Sequence, residues 1–300
     1  MPRLTIANQK STIIRTLLNW YRKNSRPLPW RKTHHPYRIL VSEIMLQQTQ
    51  VNRAKQKYPE FLRRFPNFLS LAHARTADVI RAWAGMGYNN RALRLQQIAL
   101  RVVKEYRGHL PKDIDTLQHL PGIGRYTANA IACFAFGQQT AVVDTNVRRV
   151  LKRLFSQQAR SMDEWNLATW ILPKGKSFEW NQALMELGGT ICTFSNPHCS
   201  MCPVYRYCES AFKLKKTRKF TPKKRQKEIP NRIYRGRIVS VLRALNHQQS
   251  IDIQRLAKLV KPDIQSSEKS WFDTLLNGLQ RDGLVLIRHR HKKFMISLPR

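Results

Sequence analysis

The chain has 300 residues, and with 42% of them hydrophobic it can bury a sizeable core, which excludes global disorder. Lysine and arginine number 54 against 18 aspartate and glutamate residues, a formal net charge of +36. An enzyme for small metabolites does not need this excess, whereas a polyanion partner would favour it, because cations that neutralise phosphates release condensed counterions. The alternative is a generally basic surface that serves solubility. The opening MPRLTIANQK lacks a signal-peptide apolar core and no apolar run approaches the length of a membrane span, so we expect a cytoplasmic protein.

Helical periodicity dominates the first 210 residues. Proline and glycine mark short connections at 27–29, 85–87 and 121–124, and strand-like alternation is scarce. These features predict a mainly α domain. Two sets of apolar residues recur at the spacing of one helix face, namely Ile13, Leu17, Leu18 and Tyr21, and Val147, Val150, Leu151 and Leu154.

An acidic residue, Glu43, interrupts the apolar run 39–46. This run is too apolar on all sides for a surface helix. A carboxyl group in such surroundings is expected to have a raised pKa and to remain protonated as a general acid. The alternative is a glutamate that reaches solvent from a helix edge.

A glycine-rich turn occupies residues 120–128, with the sequence LPGIGRYTA. Gly122 and Gly124 allow another backbone to approach closely, and the helix that follows offers free N–H groups and the positive end of its dipole. Together these features suit a phosphate group. A Gly-x-Gly turn alone is weak evidence, but its flanks are typical of the hairpin in a helix-hairpin-helix.

A second carboxylate, Asp144, follows a short apolar run and precedes a predicted helix. An aspartate in this position is usually an N-cap, and the residues alone favour that interpretation. A catalytic role is compatible with capping, because the cap hydrogen bond fixes the position of the carboxylate.

Four of the five cysteines crowd into one short segment with the spacing Cys192-x6-Cys199-x2-Cys202-x5-Cys208. In a reducing compartment this pattern predicts a metal site and not a disulfide framework. Four thiolates suit a 4Fe-4S cluster. A four-cysteine zinc site is the alternative, although zinc sites usually pair two Cys-x2-Cys knuckles. The fifth cysteine, Cys133, lies in an apolar run and is predicted to be a core residue.

The last third of the chain changes character. Residues 213–227 contain nine lysines or arginines in fifteen positions and are predicted to be an extended linker, either a passive tether or a clamp on phosphates. Residues 228–300 form a separate C-terminal domain in this prediction. Its elements are helices at 237–245, 253–260 and 271–283, then strands at 284–289 and 294–298 joined by a basic turn at 290–293. This is the order of a winged helix, which binds either DNA or protein.

Several motifs together resemble the adenine DNA glycosylase branch of the helix-hairpin-helix, iron–sulfur glycosylases. The resemblance covers roughly residues 8–212. It implies a bilobal α-helical glycosylase domain over residues 1–212, double-stranded DNA as the partner, and a target base flipped out of the duplex. The segments that carry the resemblance are 28–31, 41–51, 85–88, 120–128, 143–147 and the four cysteines.

The resemblance assigns roles to residues in these segments. Glu43 is the implied general acid, which protonates the departing base, and Asp144 stabilises the sugar cation. Gln48 and Tyr88 resemble residues that wedge into the duplex. The remaining implied contacts are Thr49, Gly122, Gly124 and Arg125 with DNA, and Trp30, Arg31, Asn146 and Gln182 in the base pocket.

Tyr126 occupies the position at which strand-nicking members of the superfamily carry a lysine. The lysine amine forms a Schiff base with the sugar, whereas a phenol cannot. We therefore expect base removal by water with at most weak strand cleavage.

The sequence also departs from the family pattern. Residues 228–300 are too short for the nucleotide-hydrolase-like domain that reads 8-oxoguanine on the opposite strand. Gln182 stands where some members carry glutamate, and an amide both donates and accepts a hydrogen bond. Thr145 replaces a glycine beside Asp144, and Asn89 replaces an aromatic residue after Tyr88.

The functional prediction is a monofunctional glycosylase that removes adenine mispaired with guanine or 8-oxoguanine in base-excision repair. A thymine or uracil mismatch glycosylase is an alternative, favoured by the missing recognition domain and by Gln182. A non-catalytic DNA-binding regulator that uses the winged helix is another. We expect no membrane association, a monomer, because an asymmetric lesion needs no two-fold partner, and a nucleoid-associated enzyme if the source is prokaryotic.

Overall fold

A computed structural model describes residues 6–213, 229–246, 249–290 and 293–299. Most of them are helical, as predicted. Among these residues no helix has the length and apolar character needed to cross a membrane. The helices are α1 (Ile6–Asn24), α2 (Pro36–Leu46), α3 (Val51–Arg64), α4 (Phe68–Ala72), α5 (Thr76–Ala82), α6 (Asn90–Glu105), α7 (Ile114–Gln118), α8 (Arg125–Phe136), α9 (Thr145–Leu154), α10 (Gln158–Ser161), α11 (Glu164–Ile171), α12 (Ser177–Thr190), α13 (Asn231–Ala244), α14 (Ile253–Val260) and α15 (Lys269–Arg281).

The chain divides into two compact units. The first consists of Met1–Ile39, Lys112–Gln118 and Ile123–Thr221, and the second of Leu40–Pro111, His119–Gly122 and Pro222–Arg300. Both units are therefore discontinuous in sequence.

The core of the first unit forms where α12 packs against α1 and α9, and α7 packs against α8. Both sets of periodic apolar residues predicted for helix faces are buried in this core, which confirms the two amphipathic helices. Cys133 is fully buried on α8, as predicted. Burying these faces in a shared core is the main source of helix stability, because isolated helices of this length are marginal in water.

The second unit joins two distant parts of the sequence. Helices α4 and α5 pack on α6, and α13 packs on α5, α14 and α15. One hydrophobic cluster runs through both parts and includes Ile80 and Leu93 as well as Ile238 and Leu276. The C-terminal helices are thus integrated with residues 40–111 in a single core.

In its described residues, the C-terminal region has three α-helices followed by an antiparallel hairpin, in the predicted order. The strands are β1 (Ile251–Asp252), β2 (Leu286–Arg290) and β3 (Lys293–Ser297), arranged β1-β3-β2. The sequence missed β1, since a two-residue strand has no periodicity to read. Helix α13 begins six residues earlier than predicted, directly after Pro230, which precedes its first turn. The predicted linker 213–227 lies outside the described residues except for Lys213, and the domain boundaries stay a prediction.

Candidate active site and DNA-contacting loops

Helix α2 carries Glu43 in a wholly buried segment. Residues 40–45 are all buried, and Glu43 is only 5% exposed. Its Oε2 atom is also buried. The local sequence explains this burial, because residues 39–46 around Glu43 are apolar except for Ser42.

Two loops in the same unit place non-glycine residues in the left-handed region. Gln48 has φ 54° and Tyr88 has φ 43°, each at a cost of about 1–3 kcal/mol. Both side chains are exposed, Tyr88 at 47%. Gly85 and Gly87, with φ of 82° and 69°, shape the tight turn before Tyr88. An exposed aromatic ring on a strained loop is poorly explained by packing and suits contact with a ligand.

A buried arginine, Arg91, ties these two loops together. It lies at the start of α6 and is only 4% exposed, and burial lowers its pKa to about 10. The guanidinium therefore remains a cation at neutral pH, satisfied by oxygen acceptors from both loops. Those acceptors are the backbone oxygens of Ile44, Met45, Gln47, Met86, Gly87 and Tyr88 and the hydroxyl of Thr49.

The glycine-rich turn lies between α7 and α8. Gly122 has φ 77°, and a Cβ there would lie 2.8 Å from the Arg94 Cδ atom. Gly124 precedes the first turn of α8 with ordinary extended geometry and would accept a Cβ without contact within 4 Å. Only the first glycine is required by conformation. Arg125 follows, exposed, with its guanidinium 4.0 Å from the centre of the Trp165 ring.

Asp144 caps α9 and also begins a chain of hydrogen bonds within the first unit. Its Oδ1 accepts from the Val147 backbone at 2.6 Å, and its Oδ2 accepts from Asn146 Nδ2 at 2.9 Å. Asn146 Oδ1 in turn accepts from Arg149 at 2.8 Å, and Arg149 Nε donates to the Cys192 carbonyl at 2.8 Å. The N-cap interpretation is correct, and the chain connects Asp144 to the first of the clustered cysteines.

A second polar cluster in the first unit holds two predicted base-pocket residues. Arg31 donates from Nε to Gln182 Oε1 at 2.9 Å and from Nη2 to Glu186 Oε2 at 2.6 Å. Glu186 has no exposed surface and also accepts from Arg26 at 2.7 Å. Burial opposes its ionisation, but the hydrogen bonds from the two arginines prevail and lower its pKa. Trp30 is buried next to Arg31 in a short 3-10 helix.

The four clustered cysteines line one small cavity. Arg153 lines it too, with Nη1 3.5 Å from the Cys192 sulfur and its carbonyl oxygen 3.3 Å from the Cys208 sulfur. Burial, together with the neighbouring thiols, raises the pKa of Cys202 to about 12. Within the described ranges no three histidine, cysteine or acidic side chains converge closely enough to hold a single metal ion.

Comparison with known proteins connects this arrangement to DNA repair. Residues 41–170 match the HhH-GPD superfamily of base excision DNA repair proteins. The adenine DNA glycosylase of Mycobacterium tuberculosis is 38% identical over 252 residues, an alignment that covers 81% of this chain and 83% of that protein. The chain belongs to the adenine DNA glycosylase family.

Other members of the adenine DNA glycosylase family match a smaller part of this chain. The human enzyme is 44% identical over 210 residues, which is 65% of this chain but only 38% of the human protein. Among solved structures, a thermostable thymine-DNA glycosylase is 30% identical with a TM-score of 0.65, covering 69% of this chain and 99% of its own. A trapped endonuclease III–DNA complex, at 23% identity and a TM-score of 0.60, shares the fold.

The structure brings together some of the predicted residues and adds others. Arg31 contacts Gln182, and Asp144 contacts Asn146, in two polar clusters of the first unit. Tyr126 lies partly buried in the first turn of α8. Sequence reasoning missed three positioning residues. They are Arg91, Arg149 and Glu186.

A signal for one of them was present. Arg91 lies four, seven and eleven positions before Leu95, Ile98 and Val102, so it occupies the apolar stripe of α6. A charged residue on a buried stripe needs an interior partner.

Proposed function

We propose that the chain is a monofunctional DNA glycosylase that removes adenine mispaired with guanine or 8-oxoguanine. The observation that carries the proposal is the geometry of Asp144, whose two oxygens accept from two N–H donors and are thereby held in one orientation. A fixed carboxylate suits the stabilisation of positive charge that develops on a sugar. Membership of the adenine DNA glycosylase family supports adenine as the base.

The reaction uses the two carboxyl groups in complementary forms. Glu43 donates its proton to a ring nitrogen of adenine as the bond between the base and the sugar carbon breaks. The electrons of that bond leave with the base, and the carboxylate of Asp144 stabilises the resulting sugar cation. Water then adds its hydroxyl to the sugar carbon, and its proton restores the acid form of Glu43. The products are adenine and an abasic site.

The loops supply the interactions that expose the base. Gln48 and Tyr88 wedge into the duplex, Thr49 supports them through Arg91, and the turn with Gly122, Gly124 and Arg125 binds a backbone phosphate. The base pocket comprises Trp30, Arg31, Asn146 and Gln182. The enzyme acts as a monomer on double-stranded DNA in the cytoplasm.

Tyr126 makes the enzyme monofunctional in this proposal, because a phenol forms no Schiff base with the sugar. The product strand is expected to remain intact until it is heated in alkali. Breakage during the enzymatic step, at the rate of base release, would contradict this assignment.

Cys192, Cys199, Cys202 and Cys208 would hold a 4Fe-4S cluster. Their arrangement around one cavity fits such a group. When bound, it supplies four iron–thiolate bonds that cross-link the 192–208 loop. We expect about four irons per chain with matching acid-labile sulfide, lost in Cys199→Ala and kept in the control Cys133→Ala. Zinc without iron would contradict the cluster.

The test of the proposed reaction is single-turnover base release from duplexes with A·G, A·8-oxoguanine, T·G, U·G and hypoxanthine·T pairs. Wild type, Glu43→Gln and Asp144→Asn are compared, with DNA binding as a control for folding. Adenine release by the wild type, absent in both variants, is the expected result. Release of adenine by either variant at the wild-type rate would remove that residue from the mechanism.

A thymine or uracil mismatch glycosylase is the second candidate. It is supported by the thymine-DNA glycosylase structure, with 30% identity over nearly its whole length. Release of thymine or uracil with adenine untouched would favour it and would make Gln182 the first residue to substitute.

A further inference from the structure

The C-terminal helices are built onto the loop that carries Tyr88. All residues concerned belong to the second compact unit. A side chain added at Gly283 would touch Leu93 Cδ1 at 3.4 Å, so the C-terminal region approaches α6 closely. The common core contains Ala77, Ile80 and Leu93 together with Ile238, Val239 and Leu242.

Arg243, near the end of α13, makes the polar connection. Its Nε donates to the Ile80 carbonyl at 2.9 Å, and its Nη2 donates to the side-chain oxygen of Asn89 at 2.7 Å. The guanidinium is partly buried, and desolvation lowers its pKa to about 10, so it remains charged at neutral pH. Asn89 is one of the residues that depart from the family pattern, and its side-chain oxygen serves as the acceptor for this arginine.

Tyr88 adjoins Asn89 and has the left-handed backbone conformation described above. A second arginine of α13 lies at the tip of the Tyr88 side chain, with Arg232 Nη1 3.5 Å from the Tyr88 hydroxyl. The Arg91 guanidinium lies 5.7 Å from the centre of the same ring. Arg232 is itself exposed. One end of α13 thus places a cation beside the aromatic tip, and the other end holds the base of the same loop.

We propose that the C-terminal region takes part in DNA binding by the glycosylase, with Arg243 as a positioning residue for the Tyr88 loop and Arg232 as a direct contact to a backbone phosphate. The inference rests on the proposed function, since it requires Tyr88 to contact DNA. If Tyr88 inserts into the duplex, the backbone phosphates on either side of the insertion lie close to its ring. A guanidinium beside that ring is therefore well placed to contact one of them. The loop conformation is disfavoured for tyrosine, so an external hydrogen bond to Asn89 stabilises the arrangement that points the ring outward.

The positioning role is tested by a double-mutant cycle in the full chain. The readout is the affinity for a duplex with a tetrahydrofuran abasic-site analogue opposite guanine, which needs no base excision. We expect Tyr88→Ala to weaken binding about tenfold through lost stacking. In the Asn89→Ala background, Tyr88→Ala is expected to weaken binding less than about threefold, because the Tyr88 ring is already misplaced. Asn89→Asp keeps the acceptor and is expected to restore wild-type coupling.

The outcomes separate this inference from the adenine proposal. Additive losses from Tyr88→Ala and Asn89→Ala would overturn the positioning role, as would a Tyr88→Ala variant that binds like the wild type. Because the analogue carries no base, an error in the proposed substrate would leave these affinities unchanged and would appear only in the base-release panel. Thermal unfolding of each variant identifies any general loss of structure.

The phosphate contact is tested by the salt dependence of binding to the same duplex. Arg232→Ala is expected to make the negative slope of log K against log salt shallower by about 0.9, the value for one lost phosphate contact. The matched control is Arg255→Ala, an exposed arginine on α14 of the same region. An unchanged slope in Arg232→Ala, or an equal decrease in Arg255→Ala, would overturn the assignment.

Discussion

Among single residues, buried guanidinium groups hold the loops of the candidate site. Arg91 and Arg31 both carry a charge that is removed from water, and the two charges are stabilised by different partners. Arg91 is surrounded by neutral oxygens, mostly backbone carbonyls, whereas Arg31 pairs with the buried carboxylate Glu186 at 2.6 Å. In both cases the polar partners also fix the side chain in one place, which is what a site that discriminates bases requires.

Removal of the Arg91 guanidinium is expected to be costly. Arg91→Met keeps the length of the side chain but leaves several backbone oxygens without a donor, so we expect a loss of about 3 kcal/mol or more in the free energy of unfolding. Urea denaturation measures it. Arg101→Met, which removes an exposed pair with Glu105 on the same helix, is the control and is expected to change stability little. Equal losses would contradict a special role for Arg91.

The Glu186 pair predicts a pH dependence with a defined sign. The pKa of Glu186 is lowered from its ordinary value of 4.5 in the folded chain, so its ionised form stabilises the protein above that value. This contribution is lost as the pH falls through the folded pKa. The stability difference between wild type and Glu186→Gln is therefore expected to shrink below about pH 4.5, as measured by urea denaturation across that range. A stability difference between wild type and Glu186→Gln that grows on acidification would contradict the stabilising ion pairs of Glu186 with the arginines.

For the helices, the effect of replacing a glycine depends on how closely a neighbouring element approaches it. In α12, a Cβ added at Gly188 would lie 2.8 Å from Asn146 Cβ and 3.2 Å from its carbonyl oxygen. Helix α9 would have to move, and Asn146 orients Asp144. Gly236 in α13 has nothing within 4 Å of the same position. The two helices thus offer a matched pair of substitutions.

Gly188→Ala is expected to destabilise the protein by about 1–3 kcal/mol through overpacking and to lower the rate of base release. Gly236→Ala is expected to stabilise it by about 0.5–1 kcal/mol, because alanine is the better helix former. Urea denaturation and single-turnover rates measure both. Stabilisation by Gly188→Ala would show that α9 and α12 accommodate the methyl group.

For the whole molecule, the charge of +36 is the dominant property. If it serves contact with about 6–10 phosphates, affinity for an undamaged duplex is expected to fall by about 10³–10⁵ between 50 and 200 mM salt. Fluorescence anisotropy at several salt concentrations measures the slope, with an uncharged backbone analogue as the control. A change of less than about tenfold would favour a role of the charge in solubility.

Local patterns determined much of this protein before any tertiary contact was known. The amphipathic faces of α1 and α9, the burial of residues 40–45 and the order of the C-terminal elements follow from spacing and composition within short segments. Such features depend on neighbours a few positions apart, so one sequence is enough to recognise them. The cysteine spacing belongs to this class as well.

Tertiary structure alone decided which distant residues meet. Arg243 and Asn89 are 154 positions apart, and Arg31 and Glu186 are 155 apart. No local pattern encodes such pairs, because their hydrogen bonds form only after separate helices have packed. The merging of residues 40–111 with the C-terminal helices in one core was hidden for the same reason. The sequence shows that an apolar helix face must be buried, but it does not show which other element buries it.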